Sequence, residues 1–182
     1  MMKRIFSLIA AGLGLWLFAD IAVAHITLSE PKAEAGSYYK ATLRVGHGCN
    51  GSPTHGLVAQ IPVGFQGVKP QPKTGWTVAT RKAQLGKPYN SHGKIVTEDV
   101  VELRWLVKNK EAALLDEQFD EFAFMGRVPD SAGPLWIKVL QLCENGQNDW
   151  SEMPAHGTSS KGLKSPAVLL DVQPAPTHEH DH

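Results

Sequence analysis

Short segments in which apolar and polar residues alternate, separated by turns rich in Pro and Gly, constrain the fold of this chain most. Residues 39–45, 100–107 and 135–142 show the pattern most clearly. Successive side chains of a β-strand point to opposite faces, so a period of two is typical of a strand with one buried face. The best helical candidate, residues 110–119, is a weak one. About eight such strands predict an all-β chain, an antiparallel β-sandwich similar to immunoglobulin and fibronectin-III domains.

The first 24 residues have the three parts of a secretory signal peptide. Lys3 and Arg4 are positive, residues 5–18 are apolar, and Ala22-Val23-Ala24 offers the small-x-small pattern of a cleavage site. The apolar run is short for a membrane span, which needs about 20 residues. We therefore expect export to the periplasm or elsewhere outside the cytoplasm. The predicted organisation is a signal peptide at 1–24, one β-sandwich at 25–173 and a disordered His-rich tail at 174–182.

Cleavage after Ala24 would make His25 the first residue of the mature protein. Its free α-amine and its ring Nδ1 can then bind one metal ion together, and two nitrogen donors in this arrangement favour Cu(II). The alternative is that His25 is incidental, because every signal peptide must end before some residue.

Charge and motifs exclude several classes of function. The chain has 18 Lys and Arg residues and 18 Asp and Glu residues, for a formal net charge of zero. Nucleic-acid-binding proteins concentrate positive charge to neutralise phosphates, so no nucleic-acid partner is expected. The sequence contains no G-x-S-x-G motif and no P-loop, and no catalytic residue is predicted.

The chain contains two cysteines, Cys49 and Cys143. An exported protein meets an oxidising compartment, so an even cysteine count favours a disulfide. The bond would close a loop of nearly a hundred residues, which the chain-entropy model values at about 4–5 kcal/mol. The alternative is a Cys–His copper site with a thiolate ligand.

Two further histidines are candidates for the metal site. His47 lies in a glycine-rich loop after the strand at 39–45, and it would reach the mature terminus if the first strand packs beside that one. Otherwise His47 is a loop histidine bonded to backbone. His92 lies in a hairpin-like turn, where it either faces the same end of the sandwich or decorates the turn.

Trp136 is the tryptophan that would wall a copper site off from solvent, although a tryptophan on a strand is more often a core residue. The tail histidines His178, His180 and His182 alternate with acidic residues. Such tracts bind metals weakly, and a solvated tail without a role is equally compatible with this pattern.

An ordered set of motifs between about residues 25 and 172 resembles the YcnI-like copper-binding proteins. The matching segments are 24–28 (AHITL), 35–38 (AGSY), 47–54 (HGCNGSPT), 69–76 (KPQPKTGW), 120–124 (DEFAF) and 135–143 (LWIKVLQLC), and Trp150 also fits. The resemblance implies an immunoglobulin- or fibronectin-like sandwich with a Cu(II) site of the single-histidine-brace type. In that site the mature N-terminal histidine binds copper through its amine and ring, a carboxylate completes the coordination, and a tryptophan lies beside it.

Carried over to this chain, the resemblance assigns the metal-binding role to His25 and the tryptophan role to Trp136. The segment expected to supply the carboxylate, residues 46–49, holds no Asp or Glu. His47 would then substitute, giving a site closer to a two-histidine brace. Relatives are associated with copper trafficking, beside periplasmic copper chaperones and membrane copper importers.

The sequence therefore predicts an exported copper-binding protein, acting in copper trafficking or homeostasis and not an enzyme. Two alternatives remain open. One is a copper-dependent oxidase of the polysaccharide-cleaving kind, which also uses a mature N-terminal histidine. The other is a metal-free structural or adhesion sandwich.

Overall fold

A computed structural model describes residues 25–176. The predicted signal peptide at 1–24 and the tail histidines His178, His180 and His182 lie outside the described residues. Within residues 25–176, no helix is long and apolar enough to cross a membrane.

The described chain is built almost wholly from β-strands. These are β1 (Thr27–Leu28), β2 (Lys32–Glu34), β3 (Tyr38–Val45), β4 (Thr54–Gln60), β5 (Gln66–Pro70), β6 (Trp76–Ser91), β7 (Lys94–Val107), β8 (Asp120–Arg127), β9 (Gly133–Cys143), β10 (Gln147–Trp150) and β11 (Val168–Gln173). The segment with the best helical pattern forms only a short 3₁₀ helix, Lys110–Ala112. The Asn109 side chain caps it by accepting a hydrogen bond from the Ala112 N–H.

The strands form two sheets. A four-stranded sheet has the order β1-β3-β8-β5. A seven-stranded sheet has the order β2-β11-β9-β4-β7-β6, and its seventh strand, β10, pairs with residues 139–142 of β9, beyond the part that β11 pairs. The β2–β11 pair is parallel, and the other pairings between these strands are antiparallel. The predicted all-β sandwich is confirmed.

Alternation places the core between the sheets, as β3 illustrates. Tyr39, Ala41, Leu43 and Val45 are buried, whereas the side chains between them face outward. The rings of Trp76 and Trp105 cross from the other sheet to meet Phe122 at centroid distances of 4.9 and 5.9 Å. Burying a large apolar side chain contributes about 1.5–3 kcal/mol, so this shared core holds the two sheets together.

The β6–β7 hairpin is longer than the sequence predicts. The sequence predicts strands only at residues 76–80, 95–96 and 100–107, but β6 and β7 pair from Trp76–Val107 to Ser91–Lys94 at the tip, and β7 is one strand. Irregularities interrupt the pairing between Arg81 and Lys82 and between Gln84 and Tyr89. Most side chains of the outer half of β6 are exposed, so that half carries no apolar signal.

Candidate metal centre

Strand register brings His25 to His47. Thr27 lies opposite Arg44 and Leu28 opposite Leu43, in an antiparallel pair of β1 and β3. Continuing that register two residues toward the terminus puts His25 opposite Gly46, the residue before His47. Both histidines are partly buried. The predicted proximity of His47 to His25 required the first strand to pack beside β3, and it does so.

One indole contacts both imidazoles. The Trp150 ring lies 5.7 Å from the His25 ring, with an angle of 88° between their planes, and 6.3 Å from the His47 ring, with an angle of 74°. Both arrangements are edge-to-face, which the charge distribution of aromatic rings favours. Trp150 is only 3% exposed, so it supplies a fixed apolar wall against which both histidines rest.

The structure places Trp150, and not Trp136, at the position expected for the tryptophan beside the histidines. Residues opposite each other in a ladder share a face of the sheet. Trp150 is opposite Val139, which is fully buried, so its indole enters the core. Trp136 is opposite Leu169 and next to the buried Ile137, which puts its half-buried side chain on the other face of β9.

His92 is not brought to the other two histidines. It lies at the tip of the β6–β7 hairpin with φ of 50°, and it lines a cleft with Tyr38 and Arg127. Tyr38 begins β3, whereas His47 follows the end of that eight-residue strand. A strand of that length spans about 25 Å, so His92 lies at the opposite end of the sandwich.

One ring nitrogen of His47 faces a backbone carbonyl. Its Nδ1 contacts the carbonyl oxygen of Gly48. A carbonyl can only accept, so a hydrogen bond here requires the proton on Nδ1. The lone pair then resides on Nε2, the nitrogen that remains available to a ligand.

The predicted disulfide between Cys49 and Cys143 is confirmed, with Cα atoms 6.0 Å apart and the two residues 94 positions apart in sequence. Because both sulfurs are in this bond, the alternative of a thiolate copper ligand is wrong. The disulfide ties the loop that follows β3 to the end of β9, two residues beyond Gln141. It therefore anchors the segment that carries His47.

Local geometry holds the same loop tightly. Asn50 and Gly51 have φ of 52° and 82°, and Cys49 and Ser52 exchange two backbone hydrogen bonds of 3.0 Å, as in a tight hairpin turn. The N–H of Gly48 donates to Asp116 Oδ1 at 2.9 Å. A Cβ at Gly48 would stand 1.9 Å from the Ser52 carbonyl oxygen, so only glycine fits there.

A buried amide links the loop to the tryptophan. Gln141 donates from Nε2 to the His47 carbonyl at 2.7 Å and to Thr54 Oγ1 at 2.8 Å, and its Oε1 accepts from Trp150 Nε1 at 3.0 Å. Neither Gln141 nor Trp150 was predicted to belong to the site. A signal for Trp150 exists, because the hairpin dipeptide Asn145-Gly146 predicts that the chain folds back along β9.

Among the described residues, few side chains at this end of the sandwich could ligate a metal ion. Among residues 25–176, no three His, Cys, Asp or Glu side chains are grouped so that they could hold a metal ion. Asp116, the carboxylate tied to the loop, has Oδ1 engaged by the Gly48 N–H. Two imidazoles beside one indole therefore form the candidate centre.

A family profile described as "Domain of unknown function (DUF1775)" matches residues 25–172. The chain belongs to this family. DUF1775 is the domain of the YcnI-like proteins, so the family resemblance seen in the motifs is confirmed, whereas copper binding stays a prediction. No curated protein matches the chain.

A solved structure shares the immunoglobulin-like fold of this DUF1775 domain. An uncharacterised protein from Nocardia farcinica with an immunoglobulin-like fold is 21% identical, with a TM-score of 0.62 over 81% of this chain and 97% of the other. The seventh ScaB type I cohesin from Pseudobacteroides cellulosolvens is 11% identical, with a TM-score of 0.43 over 87% of this chain and 97% of the other. The first likeness shows the immunoglobulin-like fold alone, and the second carries no inference about this chain.

Proposed function

We propose that this DUF1775 protein is an exported copper-binding protein, in which His25 and His47 hold Cu(II). The observation that carries the proposal is the meeting of these two histidines on Trp150, at 5.7 and 6.3 Å. The protonated Nδ1 of His47 leaves Nε2 for the metal, and imidazole nitrogen suits copper. A bound copper ion would supply a redox-active centre at one end of the sandwich.

In this proposal, cleavage of the signal peptide supplies the third nitrogen ligand of the metal. Removal of residues 1–24 frees the α-amine of His25, which binds the metal together with the ring of the same residue. Two observations support this cleavage site: the small-x-small pattern ending at Ala24, and a family match that begins at residue 25. The amine replaces the third side-chain ligand that is missing among residues 25–176.

The protein binds and passes on copper in this proposal, and it performs no catalysis. Both histidines are partly buried and not enclosed, so a bound ion stays within reach of a second protein. The proposed partner is a periplasmic copper chaperone or a membrane copper importer. A copper oxidase would instead consume peroxide and a reductant in the presence of polysaccharide, and we expect no such turnover.

Titration of the mature protein with Cu(II) tests the proposal. The ligand variant is His47→Ala, and the matched control is His156→Ala, which removes an exposed loop histidine. We expect His47→Ala to weaken Cu(II) binding at least tenfold and His156→Ala to leave it unchanged. Equal affinity for wild type and His47→Ala would remove His47 from the site.

A further inference from the structure

Gln141 is a fully buried polar side chain on β9, 1% exposed among apolar neighbours. It lies on the core-facing side of the strand with Ile137 and Val139. A buried amide is costly unless its hydrogen-bonding groups are satisfied, so its presence in a core position needs a reason.

Each hydrogen-bonding group of this amide is used. Both bonds from Nε2 are under 3 Å, to the His47 carbonyl and the Thr54 hydroxyl. Oε1 accepts from Trp150 Nε1 at 3.0 Å and from Asn148 Nδ2 at 3.4 Å. Two donors and one carbonyl oxygen are the full inventory of a glutamine side chain. A side chain of different shape or polarity would not serve all of these partners.

These bonds join three separate segments of the chain. His47 belongs to the loop after β3, Thr54 begins β4, and Trp150 ends β10. The position of the His47 backbone and the orientation of the Trp150 indole are therefore set by one rigid group. Because His25 rests on the same indole, Gln141 influences the position of both histidine rings.

We propose that Gln141 is the positioning residue of the copper site, acting through His47 and Trp150 without touching the metal. This inference rests on the proposed function of His25 and His47. Groups that orient the ligands of a metal typically contribute 10–100-fold to its affinity. Without Gln141, the His47 carbonyl and the Trp150 N–H lose their hydrogen-bond partners. The imidazole rings of His25 and His47 are then no longer positioned by one shared group.

The test compares the mature wild-type protein with Gln141→Met, which keeps the length of the side chain and removes its hydrogen bonds. We expect about 10–100-fold weaker Cu(II) binding and a changed Cu(II) electron paramagnetic resonance spectrum. Gln141→Glu keeps an acceptor for Trp150 but places an acceptor against the His47 carbonyl, and we expect it to weaken binding at least as much as Gln141→Met. Val128→Ala is the control, because Val128 is fully buried beside the start of β3, at the end of the sandwich opposite His47. It should lower stability and leave both copper readouts unchanged.

A metal-free readout separates this inference from the proposed function. Hydrogen exchange of the Trp150 indole N–H, followed by NMR, should be slow in the wild type and faster in Gln141→Met. Should Gln141→Met not fold, Thr54→Val removes one partner of Gln141 and is expected to shift the copper spectrum in the same direction. Wild-type copper affinity, spectrum and indole exchange in Gln141→Met would overturn the positioning role. Failure of the wild type to bind Cu(II) would instead overturn the proposed function.

Discussion

The imidazole of His25 stands edge-on to the indole of Trp150, with ring centroids 5.7 Å apart and planes at 88°. Because Trp150 is buried and bonded to Gln141, the ring of His25 rests on a fixed part of the core. The first residue of the predicted mature protein is thus held in place by its side chain as well as by the short β1–β3 pairing.

Trp150 should report copper binding by its fluorescence. Paramagnetic Cu(II) quenches an indole at short range, and Trp150 is the tryptophan in contact with both His25 and His47. We expect Trp150→Phe to remove the larger part of the quenching produced by Cu(II). Trp136→Phe is the matched control, because Trp136 lies on the other face of β9, and it should keep that quenching. Retained quenching in Trp150→Phe would place the metal elsewhere.

Loss of the disulfide should destabilise the domain. The bond between Cys49 and Cys143 joins residues 94 positions apart, and removing such a bond typically costs about 2–5 kcal/mol. We expect the double variant Cys49→Ser/Cys143→Ser to lose that much free energy of unfolding in guanidinium. A reductant should lower the stability of the wild type and leave the double variant unaffected. An unchanged wild type would mean that the bond does not form in the mature protein.

Gly48 should tolerate no side chain. A Cβ at this position would lie 1.9 Å from a backbone oxygen of Ser52, which cannot move aside without opening the turn. We expect Gly48→Ala to lower the free energy of unfolding by more than about 2 kcal/mol and to weaken Cu(II) binding, since His47 is its neighbour. Gly86→Ala, where a Cβ meets open space, should change stability by no more than about 0.5 kcal/mol. Equal effects of the two variants would show that the loop is not rigid.

Glu102 should add stability that disappears in acid. It is 7% exposed and bonds Arg104 at 2.7 Å and Arg81 at 3.3 Å. The Arg104 hydrogen bond, followed by that of Arg81, holds the pKa of the Glu102 carboxyl below its usual value. A lowered pKa in the folded state gives stability that is complete above the unfolded-state pKa and is lost as pH falls through the folded-state value.

We expect Glu102→Gln to cost about 1–3 kcal/mol at pH 7, and the gap to the wild type to narrow as pH falls below about 4. Urea unfolding at a series of pH values measures this gap. The exposed carboxylate variant Glu117→Gln controls for loss of one surface charge. A gap that stays constant down to pH 2 would contradict the ion-pair explanation.

Much of the fold was predictable because its signal is local. The alternation in β3 places apolar residues on one face, and burial follows it. The strands that escaped prediction, β2, β5 and β10, have three, five and four residues. Such segments are too short to show a period, and pairing with a neighbour defines them.

In the candidate site, too, the residues that were predicted correctly are those with a local signal in the sequence. Cys49 and Cys143 were paired correctly because only one disulfide is possible, and His47 was placed near His25 because a strand leads into its loop. Trp136 was given the tryptophan role from the family resemblance, and nothing local shows which face of a strand meets the site. Gln141 was invisible, since its role arises from four partners scattered along the chain.

The central claim, that a processed amino terminus binds copper, is tested most directly by Cu(II) affinity measured with and without one alanine added before His25. The addition leaves both imidazoles in place and moves the α-amine away from the ring of His25. The account predicts at least a tenfold loss of affinity and a changed electron paramagnetic resonance spectrum. Unaltered affinity and spectrum in the extended protein would contradict it.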